Sequence, residues 1–166
     1  MANTNPVKVA MIGVGAISGI YLKNITNVFK EVELVGVCDL IPERAEKGVQ
    51  TVKEYIEAGA KAPVPKIYKD MYEAFNDPEV EVVLNLTRPY EHYGVTKAAL
   101  EHGKHVFSEK PLAADMEEGT KLMALAKEKI SSWAARRIRS WAQAFRPCAS
   151  LSMTGTSATL LRRTAR

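Results

Sequence analysis

Short apolar runs alternate with longer segments of mixed polarity along the first 129 residues. The runs VKVAMIG, ELVGVCD, VEVVLNLT and HVFSE are rich in β-branched residues, and glycine or charged residues border them. This pattern is typical of strands buried on both faces of a parallel sheet. The predicted strands cover residues 7–13, 33–39, 80–87 and 105–109.

The segments between these runs have the composition and the end signals of helices. Pro42 occupies the position that is favoured for the first residue of a helix. The sequence Asn76–Asp77–Pro78 ends the short helix predicted over residues 70–75. Residues 60–65 are predicted as a turn-rich linker. Helices alternating with strands predict an α/β fold, a doubly wound parallel sheet. The predicted helices cover residues 17–29, 42–59, 70–75, 90–102 and 114–129.

The first 129 residues and the remaining 37 differ in their content of charged residues. Residues 1–129 hold 16 Lys and Arg and all 19 Asp and Glu, whereas residues 130–166 hold seven Arg, no Lys and no acidic residue. The net charge of +4 therefore comes from the tail and says nothing about partners of the first part. We predict an α/β domain over residues 1–129 and a separate Arg/Ser-rich tail over residues 130–166.

The first strand ends in GVGAIS, a glycine turn before the first predicted helix. Gly13 permits a tight turn, and Gly15 lets backbone amides approach a pyrophosphate at the helix start. The third glycine position of a dinucleotide fingerprint holds Ser18 here. Asp39 ends the second strand, where an acid binds the adenosine ribose, although it also suits a cap for the helix at Pro42. Dinucleotide binding is predicted, with NAD favoured and NADP as the alternative, because Asp39 repels a 2′-phosphate.

The stretch GKHVFSEKPLA places a carboxylate, an ammonium and a proline at the end of the last predicted strand. Open α/β sheets bind ligands at this edge. Pro111 can fix an unusual turn, including a cis bond. Lys110 would then point into the crevice and help move a substrate proton as a catalytic residue. The alternative interpretation is a surface pair of Glu109 and Lys110 at a strand exit.

These stretches, together with NLTRPYEHYGVTKAALEHGKHVFSEKPLA, resemble the Gfo/Idh/MocA family of NAD(P)-dependent oxidoreductases from about Val7 to Lys129. The resemblance implies a Rossmann NAD(P)-binding domain and hydride transfer on a sugar, inositol or related polyol. It also implies a second, substrate-binding domain, which residues 1–166 do not include. Oligomer contacts would be lost with that domain. By the resemblance, the pyrophosphate is lined by Gly13, Gly15, Ala16, Ile17 and Ser18, and the ribose by Asp39.

The resemblance also assigns residues at the ends of the third and fourth predicted strands. A T-x-P-x-x-H turn is expected beside the cofactor, and an Asn often follows its proline in the family, whereas this chain has Tyr90. That departure affects one cofactor contact. The residues assigned to the cofactor here are Thr87, Arg88, Pro89 and His92, with Glu109 and Lys110 near the nicotinamide and the substrate.

Three interpretations of the tail compete. It could be a basic amphipathic helix for a membrane surface or nucleic acid, a divergent linker, or an out-of-frame translation. A shift of one base turns the Trp133–Ala134 and Trp141–Ala142 junctions into glycine codons, and the shifted string resembles a continuation of the family. We favour the out-of-frame interpretation. The Ala/Arg stretch would extend the last helix, with loose packing or disorder beyond about Pro147.

The remaining expectations concern location and partners. Two Cys imply no disulfide framework, and a cytoplasmic protein without membrane or nucleic-acid partners is expected. The three His share no ligand spacing with Cys38, so no metal site is predicted. We expect cofactor binding without turnover. The alternatives are a non-catalytic dinucleotide-binding module with a nucleic-acid- or membrane-binding tail, and a Rossmann domain for a nucleotide-sugar or methyl donor.

Overall fold

A computed structural model describes the backbone of residues 5–141 and the side chains of residues 5–129. The chain divides into two units, Thr4–Ser131 and a second one of Met1–Asn3 with Ser132–Arg166.

The described chain forms five strands and five helices. All strand pairs are parallel, in the spatial order β3-β2-β1-β4-β5. The strand order reverses direction between β1 and β4. Because crossovers between parallel strands are almost always right-handed, this order is the one that places helices on both faces of the sheet. This confirms the predicted doubly wound α/β fold. The elements are β1 Val7–Ile12, α1 Ser18–Asn27, β2 Val32–Cys38, α2 Pro42–Glu57, β3 Lys66–Ile67, α3 Met71–Asn76, β4 Val82–Asn85, α4 His92–Glu101, β5 His105–Ser108 and α5 Met116–Trp141.

The sheet has one strand more than the four predicted. β3 follows the predicted linker and pairs with Gly36 and Val37 of β2. It consists of two exposed residues after a segment containing two prolines, so no apolar run marks it in the sequence. Its position is fixed instead by the buried Tyr68, whose hydroxyl donates to the Asp77 carboxylate at 2.8 Å.

The hydrophobic core lies between the sheet and the helices that cover it. The central strands β1 and β4 are buried on both faces, which explains why their sequences read as continuous apolar runs. Phe75 of α3 is 1% exposed and closes one side of this core. The buried cluster contains Ala10, Ile12, Val35, Cys38, Tyr68, Ala74, Phe75, Val80, Val83, Val95 and Ala99.

The last helix crosses the boundary predicted at residues 129 and 130. α5 starts after Asp115, whose carboxylate accepts the Glu118 N–H at 2.8 Å. The helix continues to Trp141, as expected for the Ala/Arg stretch. The expectation of loose packing beyond Pro147 concerns residues outside the described range. No helix in residues 5–141 combines the length and apolarity needed to cross a bilayer.

Candidate dinucleotide-binding site

The carboxyl ends of four strands meet at one edge of the sheet. Ile12 is in register with Cys38 of β2 and with Asn85 of β4, and Asn85 is in register with Ser108 of β5. The residues that follow each strand therefore lie side by side. We call Gly13–Ser18 the glycine turn, and Asn85–Pro89 together with Glu109–Pro111 the β4–β5 edge.

Gly13 starts the glycine turn in a conformation that suits glycine. Its φ is +95°, and a Cβ added there would lie 2.7 Å from the carbonyl oxygen of Leu86. Any side chain would be both strained and in collision with the backbone that leaves β4. The predicted need for Gly13 at a tight turn is confirmed. No described atom lies within 4 Å of a Cβ added at Gly15, so the fold alone does not demand glycine there.

Asp39 holds the glycine turn to the end of β2. Its Oδ2 accepts the Val14 N–H at 2.7 Å, and its Oδ1 accepts the Ile41 N–H at 2.9 Å. Ile41 is the N-cap of α2, and its own side chain makes no capping hydrogen bond. Asp39 thus accepts the N–H of the residue before the helix and not one of its first turn, so its alternative role as a helix cap stays a prediction. Each carboxylate oxygen keeps a further acceptor position for a ribose hydroxyl. Sequence reasoning missed the bond to Val14.

Several amides of the glycine turn remain available to an anion. Ser18 donates both its N–H (3.1 Å) and its hydroxyl (2.7 Å) to the Gly15 carbonyl oxygen. Among the described residues, no hydrogen bond occupies the N–H groups of Gly15, Ala16 and Ile17. Ala16 and Ile17 are exposed at the start of α1, where the helix dipole favours negative charge.

Gly48 of α2 packs against Val14 of the glycine turn. Val14 is buried, and its Cγ1 would lie 2.8 Å from a Cβ added at Gly48. The Val14 side chain therefore occupies the space that any side chain at position 48 would need. This contact fixes the turn against α2, and the sequence carries no local signal for it.

The β4–β5 edge is organised around Asn85, which sequence reasoning also missed. Asn85 is fully buried, and its amide donates to the His92 carbonyl oxygen (3.1 Å) and to the Thr96 hydroxyl (3.0 Å). Its side-chain oxygen accepts the Thr87 hydroxyl at 2.6 Å and the Thr87 N–H at 3.3 Å. The available signal was an amide residue between Leu84 and Leu86 in the run VEVVLNLT, because buried amides require partners.

His92 joins the two halves of this edge. The ring is 1% exposed; Nδ1 lies 2.5 Å from the Pro111 carbonyl oxygen and Nε2 3.0 Å from that of Thr87. Both ring nitrogens thus face main-chain oxygens, so the structure gives His92 a hydrogen-bonding role within the protein. Its predicted place beside the cofactor stays a prediction.

The exposed part of the T-x-P-x-x-H turn projects away from this network. Arg88, Pro89 and Tyr90 are exposed, and Arg88 donates from Nη1 to the Tyr90 hydroxyl at 2.9 Å. This bond raises the pKa of the Arg88 guanidinium. At position 90, where the resemblance described above leads one to expect Asn, this chain has a tyrosine that is hydrogen-bonded to Arg88.

Glu109 and Lys110 follow β5 at the same edge. The Glu109 N–H donates to the Asn85 carbonyl oxygen at 3.0 Å, and the Lys110 N–H donates to Glu109 Oε2 at 3.2 Å. The Lys110–Pro111 peptide bond is cis, as the sequence suggested. The Lys110 side chain is exposed, and in the described part of the chain its ammonium makes no hydrogen bond or ion pair. Its charge still contributes to lowering the pKa of the Glu109 carboxyl, and the alternative of a surface Glu109–Lys110 pair stays a prediction.

Tyr21 of α1 is a further member of the edge that the sequence did not indicate. Its hydroxyl donates to Glu109 Oε1. This bond, followed by that from the Lys110 N–H, lowers the pKa of the Glu109 carboxyl. Burial, followed by the bond to Glu109, raises the pKa of the Tyr21 phenol to about 12.

The predicted site residues lie at an edge of the sheet where Ala16, Ile17 and Lys110 are exposed. Two cavities of about 470 and 530 Å³ lie elsewhere, one beside Lys66–Asp77 and one between α1, α2 and the amino end of β2. Neither is lined by a predicted site residue. Within the described residues, no cluster of three or more His, Cys, Asp or Glu side chains could hold a metal ion.

Comparison with known families agrees with this geometry. Residues 7–132 match the model of the GFO_IDH_MocA family, described as an oxidoreductase family with an NAD-binding Rossmann fold. The chain belongs to this family. Its Rossmann domain is an NAD(P)-binding domain, and the glycine turn and the β4–β5 edge are parts of that domain.

Two curated relatives of this chain are inositol dehydrogenases. The chain is 35% identical over 118 residues to the inositol 2-dehydrogenase/D-chiro-inositol 3-dehydrogenase of Lactiplantibacillus plantarum, covering 71% of this chain and 31% of the relative. It is 37% identical over 107 residues to the inositol 2-dehydrogenase of Salmonella typhimurium, covering 64% and 29%. The chain thus spans about a third of the length of the curated relatives it matches.

Solved structures of the Gfo/Idh/MocA type share the fold. The myo-inositol dehydrogenase from Lactobacillus casei, solved with NAD(H) and myo-inositol, is 29% identical with a TM-score of 0.64, covering 72% of this chain and 33% of that one. An NAD-binding protein from Listeria innocua is 26% identical with a TM-score of 0.64, covering 75% and 33%.

Proposed function

We propose that this chain binds NAD(H) across the carboxyl edge of its sheet, with the pyrophosphate over the glycine turn and the adenosine ribose at Asp39. The observation that supports this most is the glycine turn itself. Asp39 fixes its backbone, and the N–H groups of Gly15, Ala16 and Ile17 have no partner among the described residues. Such amides at a helix start suit a diphosphate.

The nicotinamide end is proposed to lie at the β4–β5 edge. Thr87, Glu109 and Lys110 follow the neighbouring strands β4 and β5 there. The exposed Lys110 ammonium is a proton donor or acceptor for a substrate oxygen. The whole protein is proposed to transfer hydride between the nicotinamide and a sugar, inositol or related polyol. The inositol dehydrogenases among its relatives support this substrate class.

Residues 1–166 alone are proposed to bind the cofactor without turnover. Hydride transfer requires cofactor and substrate to be held in register, and the matched region covers about a third of the dehydrogenases that resemble it. We further propose that residues 1–129 are the folding unit and that residues 130–166 form a separate, out-of-frame tail.

The cofactor proposal is tested by titrating the 166-residue chain with NADH and NADPH by fluorescence. We expect saturable NADH binding and at least about tenfold weaker NADPH binding, equivalent to ~1.4 kcal/mol. Asp39→Asn should narrow this difference, because the repulsion of the 2′-phosphate is lost, whereas Asp115→Asn at the start of α5 should not. Equal binding of both cofactors by the native chain would contradict the assignment of NAD.

The absence of turnover is tested with the same chain on a panel of inositols and sugars. No reduction of NAD⁺ is expected above the level of a Lys110→Ala variant. Substrate-dependent NADH formation that disappears in that variant would show that the residues given are sufficient for catalysis.

A further inference from the structure

Lys110 is the exposed residue of a segment whose two neighbours are both held by side chains from other elements. On one side, Glu109 accepts the Tyr21 hydroxyl from α1. On the other side, the Pro111 carbonyl oxygen lies 2.5 Å from Nδ1 of His92 of α4. The Lys110 backbone therefore has little freedom, although its side chain is exposed.

The two side chains that hold this segment, Tyr21 and His92, belong to different parts of the protein. His92 belongs to the β4–β5 edge itself, because its other nitrogen faces Thr87 of that edge. Tyr21 belongs to α1, the helix that begins at Ser18 directly after the glycine turn. Tyr21 lies one turn into that helix, so it connects the start of α1 with the end of β5.

Both the ring and the hydroxyl of Tyr21 contact the last strand. The ring packs against Phe107 of β5 with centroids 6.3 Å apart and planes tilted by 58°. The hydroxyl reaches Glu109, two residues further along the chain. The aromatic contact places the ring, and the hydrogen bond selects where the Glu109 carboxylate lies.

The donor and the acceptor of this bond keep their roles over a wide pH range. The pKa of the Tyr21 phenol is raised to about 12, so it stays a donor at neutral pH. The pKa of the Glu109 carboxyl is lowered from 4.5, so it stays an acceptor. Its second oxygen accepts the Lys110 N–H at 3.2 Å, which continues the connection from α1 to Lys110.

We propose that Tyr21 is a positioning residue that couples cofactor binding at the start of α1 to the placement of Lys110. A pyrophosphate bound to the glycine turn would fix the first turn of α1. Tyr21 would transmit that position through Glu109 to the Lys110 backbone. The inference rests on the proposed cofactor site, but its first contact, between Tyr21 and Glu109, is testable without cofactor.

Tyr21→Phe removes the hydroxyl and keeps the ring against Phe107. The control is Tyr72→Phe on α3, whose ring contacts Phe75 and His102 away from this edge. The first readout is a carbon-13 NMR titration of the Glu109 carboxyl in the 166-residue chain. We expect its midpoint to rise towards 4.5 in Tyr21→Phe and to stay unchanged in Tyr72→Phe. An unchanged midpoint in Tyr21→Phe overturns the inference.

The second readout follows Lys110 when NAD⁺ binds. Lysines are reductively methylated with carbon-13, and the Lys110 signal is assigned by its loss in Lys110→Arg. Saturating NAD⁺ should shift this signal in the native chain. In Tyr21→Phe the shift of the Lys110 signal should be less than about half of that in the native chain. The NAD⁺ dissociation constant should change by less than about threefold. An equal shift in both chains overturns the coupling.

The two readouts separate failure of this inference from failure of the cofactor proposal. If NAD⁺ does not bind the native chain, the cofactor proposal is wrong, and the coupling that rests on it is wrong as well. The Glu109 titration then still decides whether Tyr21 positions Glu109. If NAD⁺ binds and Lys110 responds equally in both chains, the cofactor proposal stands and the coupling alone is wrong.

Discussion

The glycine turn and the β4–β5 edge lie next to each other but are built differently. The glycine turn is mostly backbone, with amides exposed for a ligand and a single carboxylate, Asp39, holding the Val14 N–H. The β4–β5 edge is held by side chains, since Asn85 bonds to α4 and His92 to the Thr87 and Pro111 carbonyl oxygens. A diphosphate can be bound by a backbone of suitable shape, whereas a proton-transfer group requires a fixed surrounding. The difference in construction fits the difference in proposed task.

The largest effect is expected from breaking the side-chain network at its centre. Asn85→Asp keeps the shape but replaces the two N–H donors to His92 and Thr96 by a buried charge. We expect a loss of about 3 kcal/mol in the free energy of unfolding, measured with urea. Asn27→Asp, an exposed amide on α1, should cost less than about 0.5 kcal/mol. Equal losses in the two variants would show that Asn85 is not the centre of the edge.

Substitutions that disturb the backbone conformation of the glycine turn should lower the free energy of unfolding somewhat less. Gly13→Ala puts a Cβ 2.7 Å from the Leu86 carbonyl oxygen at a φ of +95°, so we expect a loss of about 2 kcal/mol. Gly15→Ala meets no described atom within 4 Å and should cost less than about 1 kcal/mol. Both should weaken NADH binding in the fluorescence titration. A Gly15→Ala variant as unstable as Gly13→Ala would refute the conformation of the turn.

The buried surroundings of the glycine turn predict a pH effect. Burial first, and then the Asp70 and Asp39 carboxylates, raise the pKa of the Cys38 thiol from 9.0 to about 11. Because the folded pKa is the higher one, this contribution to stability is complete below pH 9 and is lost as the pH rises towards 11. We expect the native chain to lose about 1 kcal/mol more than Cys38→Ala between pH 8 and 10, measured by urea unfolding. Parallel pH profiles of the two chains would contradict this assignment.

The smallest effect is expected at the exposed end of the β4–β5 edge. Tyr90 is 63% exposed, and its hydroxyl contacts the Arg88 guanidinium. Tyr90→Asn should change the free energy of unfolding by less than about 0.5 kcal/mol. NADH affinity in the titration should change by at most about threefold. A larger loss of stability would mean that the Arg88–Tyr90 pair belongs to the network around Asn85.

The two regions also differ in how far the sequence predicts them. The Gly13 turn and the position of Asp39 were predictable because local signals, a glycine pattern and a strand-ending acid, determine them. The doubly wound sheet follows in the same way from alternating apolar runs. β3 was not predicted, because its two residues are exposed and show no apolar pattern in the sequence.

The contacts that organise the β4–β5 edge depend on residues far apart in the chain. Tyr21 and Glu109 are 88 positions apart, and His92 and Pro111 are 19 apart. No propensity or spacing rule pairs such residues, because tertiary packing alone brings them together. Asn85 left one signal, a polar residue in a buried strand, but its four partner atoms could not be read from the sequence.

The packing of Val14 against Gly48 has a consequence for how the sequence can diverge. The two positions share one volume, since a Cβ at position 48 would meet Val14 Cγ1 at 2.8 Å. A larger residue on α2 is therefore compatible with the fold only where position 14 has become smaller. Among related sequences the two positions should change together, so that the second residue of the glycine turn and the middle of α2 are inherited as a pair.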